Sequence, residues 1–318
     1  MTGAGGSGGR RVHPSDEVRA ALDAGRPLVA LETSVLAQGL PWPRNLEAAR
    51  EMDGRVRGAG AVPAWVAVRD GRVLVGLSGS ELEQLSTPRA GVVKVARRDY
   101  PAVLASGATG ATTVSATLWA ASRVGIEVMA TGGIGGVHPR SGDVSADLLE
   151  LARLPGLVVC AGPKSIVDPV ATLERLEELG VLVVGYACTH LPFFVVPDAG
   201  IALEHRVETP AEAAVVARAR RDLGVPSAVL LCQPVPGDAA LGRAEVDAAV
   251  RACERRAETS GIAGKAVTPF LLSCLAEVTG ARSLEANLAL LRANASLAAQ
   301  VAVSLAGVEP GSSPDSPR

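Results

Sequence analysis

Aromatic residues are scarce in this chain, where Phe, Tyr and Trp make up 3% of 318 residues. Proteins that grip single-stranded nucleic acid stack bases on aromatic platforms, so that class lacks its usual material here. An excess of one charge sign is missing as well. With 31 Lys and Arg against 33 Asp and Glu, the formal net charge is −2, which offers no attractive field to a nucleic-acid polymer or an anionic membrane. No run reaches about 18 uninterrupted apolar residues, and the N-terminus shows no basic-then-apolar leader. A cytoplasmic protein acting on a small molecule is expected. Cys-x-x-Cys pairs are also absent. The five cysteines, Cys160, Cys188, Cys232, Cys253 and Cys274, are odd in number and far apart, and read as buried reduced thiols rather than zinc ligands or a disulfide frame.

What is present is the composition of a folded globular protein, 48% hydrophobic and 20% charged. Small and polar residues dominate positions 2–9, and Pro and Ser the last dozen, so flexible tails are expected at 1–13 and 307–318 around one α/β catalytic domain at 14–306. Apolar runs alternate with amphipathic stretches along that domain. Strands are expected at 27–31, 63–68, 72–77, 91–95, 126–130, 157–161, 181–186 and 228–231. Helices are expected near 15–24, 44–57, 114–125, 145–153, 269–279 and 283–305, with further amphipathic stretches after Lys164 and from Glu245. The pattern implies a three-layer α/β/α arrangement around a mostly parallel central sheet. Asp70-Gly71 between two apolar runs marks a hairpin, placed in a small separate lobe.

Chemistry concentrates between Ala130 and Lys164. The turn Gly132-Gly133-Ile134-Gly135-Gly136 is either a glycine-lined cradle whose amides approach an anion or simply a tight turn. It is not the dinucleotide fingerprint, because His138 holds the third glycine position. Asp143 and Asp147 bracket Val-Ser-Ala, and one of them is expected to serve only the helix that follows. Lys164 falls just past the end of an apolar strand, where open α/β sheets bind ligands. An amine of ordinary pKa, about 10.4, is neutral in only about one molecule in two thousand at pH 7; desolvation and a nearby cation lower that value by about 3 and make it a nucleophile. A lysine clamping phosphate or reaching water is the competing reading. Lys94 is the candidate neighbouring cation and Glu32, at another strand end, the candidate proton source.

Seven segments, taken in order, resemble one family. They are Ala30-Leu31-Glu32-Thr33-Ser34, residues 94–99 (KVARRD), Gly110-Ala111-Thr112-Thr113-Val114, residues 130–138 (ATGGIGGVH), residues 143–147 (DVSAD), residues 159–166 (VCAGPKSI), and Gly264-Lys265 with residues 268–272 (TPFLL). This ordered set is similar to pseudouridine-5′-phosphate glycosidase, the indigoidine-synthase-A-like family. The resemblance implies cleavage of the C–C glycosidic bond of pseudouridine 5′-phosphate to uracil and ribose 5-phosphate, with a divalent metal, usually Mn2+, in a homo-oligomer, a homotrimer. It implies Lys164 as the nucleophile that forms an imine with C1′ of ring-opened ribose, and Glu32 as the proton donor that opens the ring. Lys94, Val114 through its backbone, Ser145, Ala146 and Asp147 match substrate contacts, and Asp143 the metal ligand. Thr113, Thr131, His138 and Asn287 also match. The stretch Pro139-Arg140-Ser141-Gly142 is shorter and less polar than the family's loop there. An imine-forming aldolase or lyase on another sugar phosphate, and a non-catalytic sugar-phosphate or nucleotide sensor, are the alternatives.

Overall fold

A computed structural model describes residues 11–88, 91–139 and 143–307. The first half runs β1 (Val12–Pro14), α1 (Asp16–Asp23), β2 (Leu28–Glu32), α2 (Arg44–Gly58), β3 (Val62–Arg69), β4 (Arg72–Val75), α3 (Gly79–Ser86), β5 (Val93–Val95), α4 (Tyr100–Ser106), β6 (Gly110–Thr112), α5 (Val114–Val124) and β7 (Val128–Ala130). It continues with α6 (Ala146–Arg153), β8 (Leu157–Cys160), α7 (Pro169–Glu178), β9 (Leu182–Tyr186), β10 (His205–Val207), α8 (Pro210–Asp222), β11 (Val229–Cys232), α9 (Arg243–Thr259), α10 (Val267–Val278) and α11 (Arg282–Ala306).

One sheet runs β1-β4-β3-β2-β7-β8-β11-β9-β10, with β6 paired to β3 and β5. All pairings are parallel except β3 with β4 and with β6. Side chains alternate across a strand, so a central strand covered on both faces must be apolar at every position. In β8, Leu157 and Val159 join one core while Val158 and Cys160 join the other, and β11 divides the same way. One core contains residues of α2, α3, α8, α9, α10 and α11, the other residues of α1, α4, α5, α6 and α7. The expected three layers result. By length and composition α11 is apolar enough to cross a membrane, but 56% of its most apolar window is buried inside the fold, and it packs against α2, α8, β7 and β8.

Some expectations are corrected. Val12–Pro14 pairs in parallel with Val73–Val75, so the sheet begins inside the stretch read as tail; backbone pairing at an edge carries no compositional mark. The described residues do not extend to 1–10 or 308–318. The Asp70-Gly71 hairpin forms as expected, yet β3 is bonded to β2 and it extends the main sheet instead of forming a lobe. Gly110–Thr112 is a strand where none is expected, and α3, α4, α8 and β10 are likewise additional to the expected elements. Cys253 and Cys274 form a disulfide joining α9 to α10, against the expectation of five reduced thiols. Their 21-residue separation gave no sign of it, because only the packing of the two helices brings them together.

Candidate active site

Strands β2, β7 and β8 are consecutive neighbours and parallel, so their carboxyl ends lie side by side. Glu32, Thr131 and Lys164 each follow from one of those ends, which is how Glu32 and Lys164, 132 positions apart, come to face one pocket, while Thr131 is buried against the Glu32 carboxyl group without lining it. Glu32 is 4% exposed. Its Oε2 accepts from the Ser34 hydroxyl at 2.6 Å and its Oε1 from the Thr131 hydroxyl, so the carboxyl group is held on both oxygens. Half-buried Lys164 is anchored through its backbone N–H to the carbonyl of Ile134, 2.9 Å away.

The pocket at Glu32 is narrow, about 40 Å³, and its walls include Val35, Phe194, Pro269 and Leu272. It adjoins a wider cleft of about 420 Å³ walled by Thr113, Ser115, His138, Asp143, Ser145, Ala146 and Asp147. Ser34, Lys94, Lys164 and Thr268 line both spaces. Thus the two lysines stand where a ligand would pass from the wide space into the narrow one. Asn287, on α11, reaches the narrow pocket with its Oδ1 buried and unpartnered, and the buried Oε1 of Gln38 there is unpartnered too. Buried amide oxygens without partners are uncommon and call for a ligand or water.

Two amides of the glycine turn and the one that follows it are bonded within the protein, while Gly132 and Gly133 line the narrow pocket. The Gly135 N–H donates to Asp147 Oδ2 at 2.9 Å, the Ile134 N–H to the Gly162 carbonyl, and the Val137 N–H to the Thr172 hydroxyl. A Cβ at Gly135 would lie 2.3 Å from Ser145 Oγ, so close packing accounts for this glycine. Gly162 is demanding in a second way, with φ +75° and Pro192's carbonyl oxygen 1.9 Å from any Cβ. Asp147 is committed as well. Its Oδ1 accepts from Ser115 N–H and its Oδ2 from Gly135 N–H, bracing the start of α5 against the turn, while Ser145 caps α6 by accepting from Asp147 N–H. The side chain of Val114 is buried, and Thr113 and Ser115 line the cleft on either side of it.

His138 is half-buried, and loss of water holds its pKa below the ordinary value, against the opposing pull of Asp143 and Glu254 and with the charge of Lys94 adding to the effect. The imidazole is therefore neutral at pH 7. Among the described residues no three His, Cys, Asp or Glu gather as a complete metal cage. Exposed Asp143 supplies one carboxylate to the cleft, a donor set that fits a hard cation keeping most of its waters. Residues 140–142 of the shortened loop lie outside the described residues.

Ser34, Gln38, Phe194 and Thr268 belong to the site without having been singled out as site residues from the sequence. Ser34, two residues past Glu32 at a strand end, carried a readable signal. Phe194 sits in a loop at φ +59°, with its N–H donating to the Ala161 carbonyl, and nothing local announces it.

Fold and site together define an α/β protein that works at the carboxyl ends of parallel strands, with lysines and a fixed carboxyl group in one enclosed space. The sequence profile described as indigoidine synthase A like protein matches residues 17–304. Pseudouridine-5′-phosphate glycosidase of Myxococcus xanthus is 50% identical over 295 residues, 92% of this chain and 97% of its own. That of Streptomyces griseus is 51% identical over 300 residues, 92% and 91% of the two chains. Among solved structures, an indigoidine synthase A-like protein of Thermotoga maritima gives a TM-score of 0.84 at 37% identity, covering 89% of this chain and 94% of the other. A prealnumycin C-glycosynthase in complex with ribulose 5-phosphate gives 0.84 at 37% identity, covering 92% and 96%. The chain belongs to the indigoidine synthase A like family.

Proposed function

We propose that this protein is an enzyme that cleaves pseudouridine 5′-phosphate to uracil and ribose 5-phosphate, reversibly, through an imine on Lys164. The observation that carries the reading is the meeting of Glu32, Lys94 and Lys164 on one pocket, in a chain about half identical to relatives bearing that activity in their names.

A C–C bond to a base offers no heteroatom to protonate, so the sugar itself must become the electron sink. In the proposed sequence Glu32 gives a proton to the ring oxygen as the C1′–O4′ bond breaks, and the Lys164 amine adds at C1′. The added nitrogen gives up a proton to the Glu32 carboxylate, Glu32 passes one to C5 of the base, and the proton released when the imine is later hydrolysed restores Glu32. The C1′–C5 bond breaks toward the base while the lysine nitrogen's lone pair forms the C=N bond, and uracil leaves. One water hydrolyses the imine, releasing ribose 5-phosphate and restoring the amine. The unpartnered oxygens of Asn287 and Gln38 are suited to the N–H groups of a uracil ring among the apolar walls.

The polar cleft suits the phosphate. Asp143, with neutral His138 near it, would hold a hydrated Mn2+ there, which would supply positive charge to phosphate oxygens. Thr113, Ser145 and Ala146 line the same cleft and would contact that end of the substrate. The reading carries with it a cytoplasmic homo-oligomer, a homotrimer. The test is incubation of the protein with pseudouridine 5′-phosphate and Mn2+. Uracil release is expected; none, with borohydride trapping Lys164 on other phosphosugars instead, would replace this reading with a sugar-phosphate aldolase or lyase.

A further inference from the structure

Asn294 is an amide in the apolar heart of the molecule, 0% exposed on α11, with Leu290, Leu291, Ala295, Leu297 and Ala298 buried around it in sequence. It lines neither the narrow pocket nor the wide cleft. Its Nδ2 donates to the Thr131 carbonyl at 2.7 Å and to the Gly132 carbonyl at 3.2 Å. Its Oδ1 accepts from Gln233 Nε2 at 2.8 Å. Gln233 follows β11, and its own N–H donates to the Cys160 carbonyl at the end of β8, the strand that leads to Lys164.

These bonds form one continuous path. It runs from the end of β8 through Gln233 and Asn294 to the end of β7, and from the Thr131 hydroxyl to Glu32 at the end of β2. Thr131 is the hinge of that path, because its carbonyl is fixed by Asn294 and its hydroxyl fixes Glu32. A swing of this peptide re-aims the hydroxyl and so the carboxyl group.

We propose that Asn294 is a positioning residue for the Thr131–Glu32 pair and that Gln233 holds the Asn294 amide in the orientation its two carbonyl partners require. Both nitrogen protons of Asn294 face carbonyls, which disfavour the flipped amide because Oδ1 would then oppose the Thr131 oxygen, and the donor from Gln233 to Oδ1 adds to that preference and ties the amide to the end of β11. The proposal rests on Glu32 acting as the proton donor.

Gln233 is the better place to test it. The residue is half-buried and borders a separate open cleft with Tyr186, Asp238 and Arg292, so its replacement leaves the core intact. Gln233→Leu removes the donor and is expected to lower kcat about tenfold. Gln233→Glu puts an acceptor opposite Oδ1, leaves two acceptors face to face whichever way the Asn294 amide turns, and is expected to cost about 10²-fold, the scale of a small misplacement at a reacting group. KM for pseudouridine 5′-phosphate stays within about twofold in both. Asn294→Ala is expected to match the Glu variant. Equal kcat in wild type and both Gln233 variants, or losses confined to KM, would overturn the proposal; a merely structural role would lower the melting temperature with kcat per folded molecule unchanged. Hydrogen exchange at the Thr131 and Ile134 amides, read without substrate, is expected to quicken in Gln233→Glu, and unchanged exchange overturns the relay even if the wild type proves inert toward pseudouridine 5′-phosphate. An inert wild type sinks the proposed reaction; an active wild type with indifferent variants sinks only the relay.

Discussion

The narrow pocket and the wide cleft share two lysines but are built by opposite means. In the pocket, Glu32 stands at the end of a central strand, 4% exposed, and is held from behind by Thr131, 1% exposed and just past the end of the neighbouring strand. The cleft is walled by loops and helix starts, with Asp143 open to solvent and residues of the α9–α10 junction, Ile262 to Gly264, on its far side. Proton transfer and bond cleavage need groups held to a fraction of an ångström, and strand ends supply that rigidity. A phosphate and a hydrated cation need room, water and distributed positive charge. The division teaches that precision and capacity are assigned to different parts of the fold.

Breaking the pocket should cost most. Lys164→Met is expected to lower uracil release by about 10⁴-fold or more and to abolish borohydride trapping, read by mass spectrometry of the reduced adduct. Glu32→Gln keeps the shape and removes the proton, and kcat should fall about 10²- to 10⁴-fold with little change in KM, measured by steady-state uracil release. Damage to the cleft should look different. Asp143→Ala, or wild type in chelator, should raise KM about 10- to 100-fold and leave Lys164 trappable, a contrast that vanishes if both spaces serve the same step.

Two tests reach beyond the cavities. Opening the Cys253–Cys274 bond by Cys274→Ser should lower unfolding stability by about 3 kcal/mol for its 21-residue loop, seen in denaturant titration. Because α10 brings Thr268, Pro269 and Leu272 to the pocket, a change in kcat as well would show that the disulfide shapes the reacting space. The smallest effect concerns Cys188, whose thiol burial pushes up to about 11. A protonated thiol is a poor nucleophile, so alkylation at pH 8 should be slow and should quicken only as pH approaches 11; rapid labelling at pH 8 would contradict that environment.

The legible part of the site was the part carried by strand ends. Lys164 and Glu32 followed from short apolar runs ending in a charged residue, since a fully buried parallel strand must be apolar throughout and betrays its end where polarity returns. Asn287 falls in the helix expected over 283–305 and matches the family's pattern, without a role attached to it. The glycine run was visible, but its meaning was not, because whether four glycines admit a ligand or a neighbouring side chain depends on Ser145, Thr172 and Phe194, which arrive from elsewhere. Asp147 appeared as one of two equivalent aspartates, and only the approach of Ser115 and Gly135 amides separates its bracing role from the open position of Asp143.

Local order alone therefore settled the alternation of strands and helices, the parallel sheet that alternation requires, and the positions at which charge interrupts apolar runs. Those are properties of neighbouring residues, written in periods of two and about 3.6. Tertiary structure decided the hairpin's place in the main sheet, the Cys253–Cys274 bond, and the path from Gln233 through Asn294 to Glu32. Each of these joins segments whose proximity depends on how whole elements pack, and no local pattern encodes that packing.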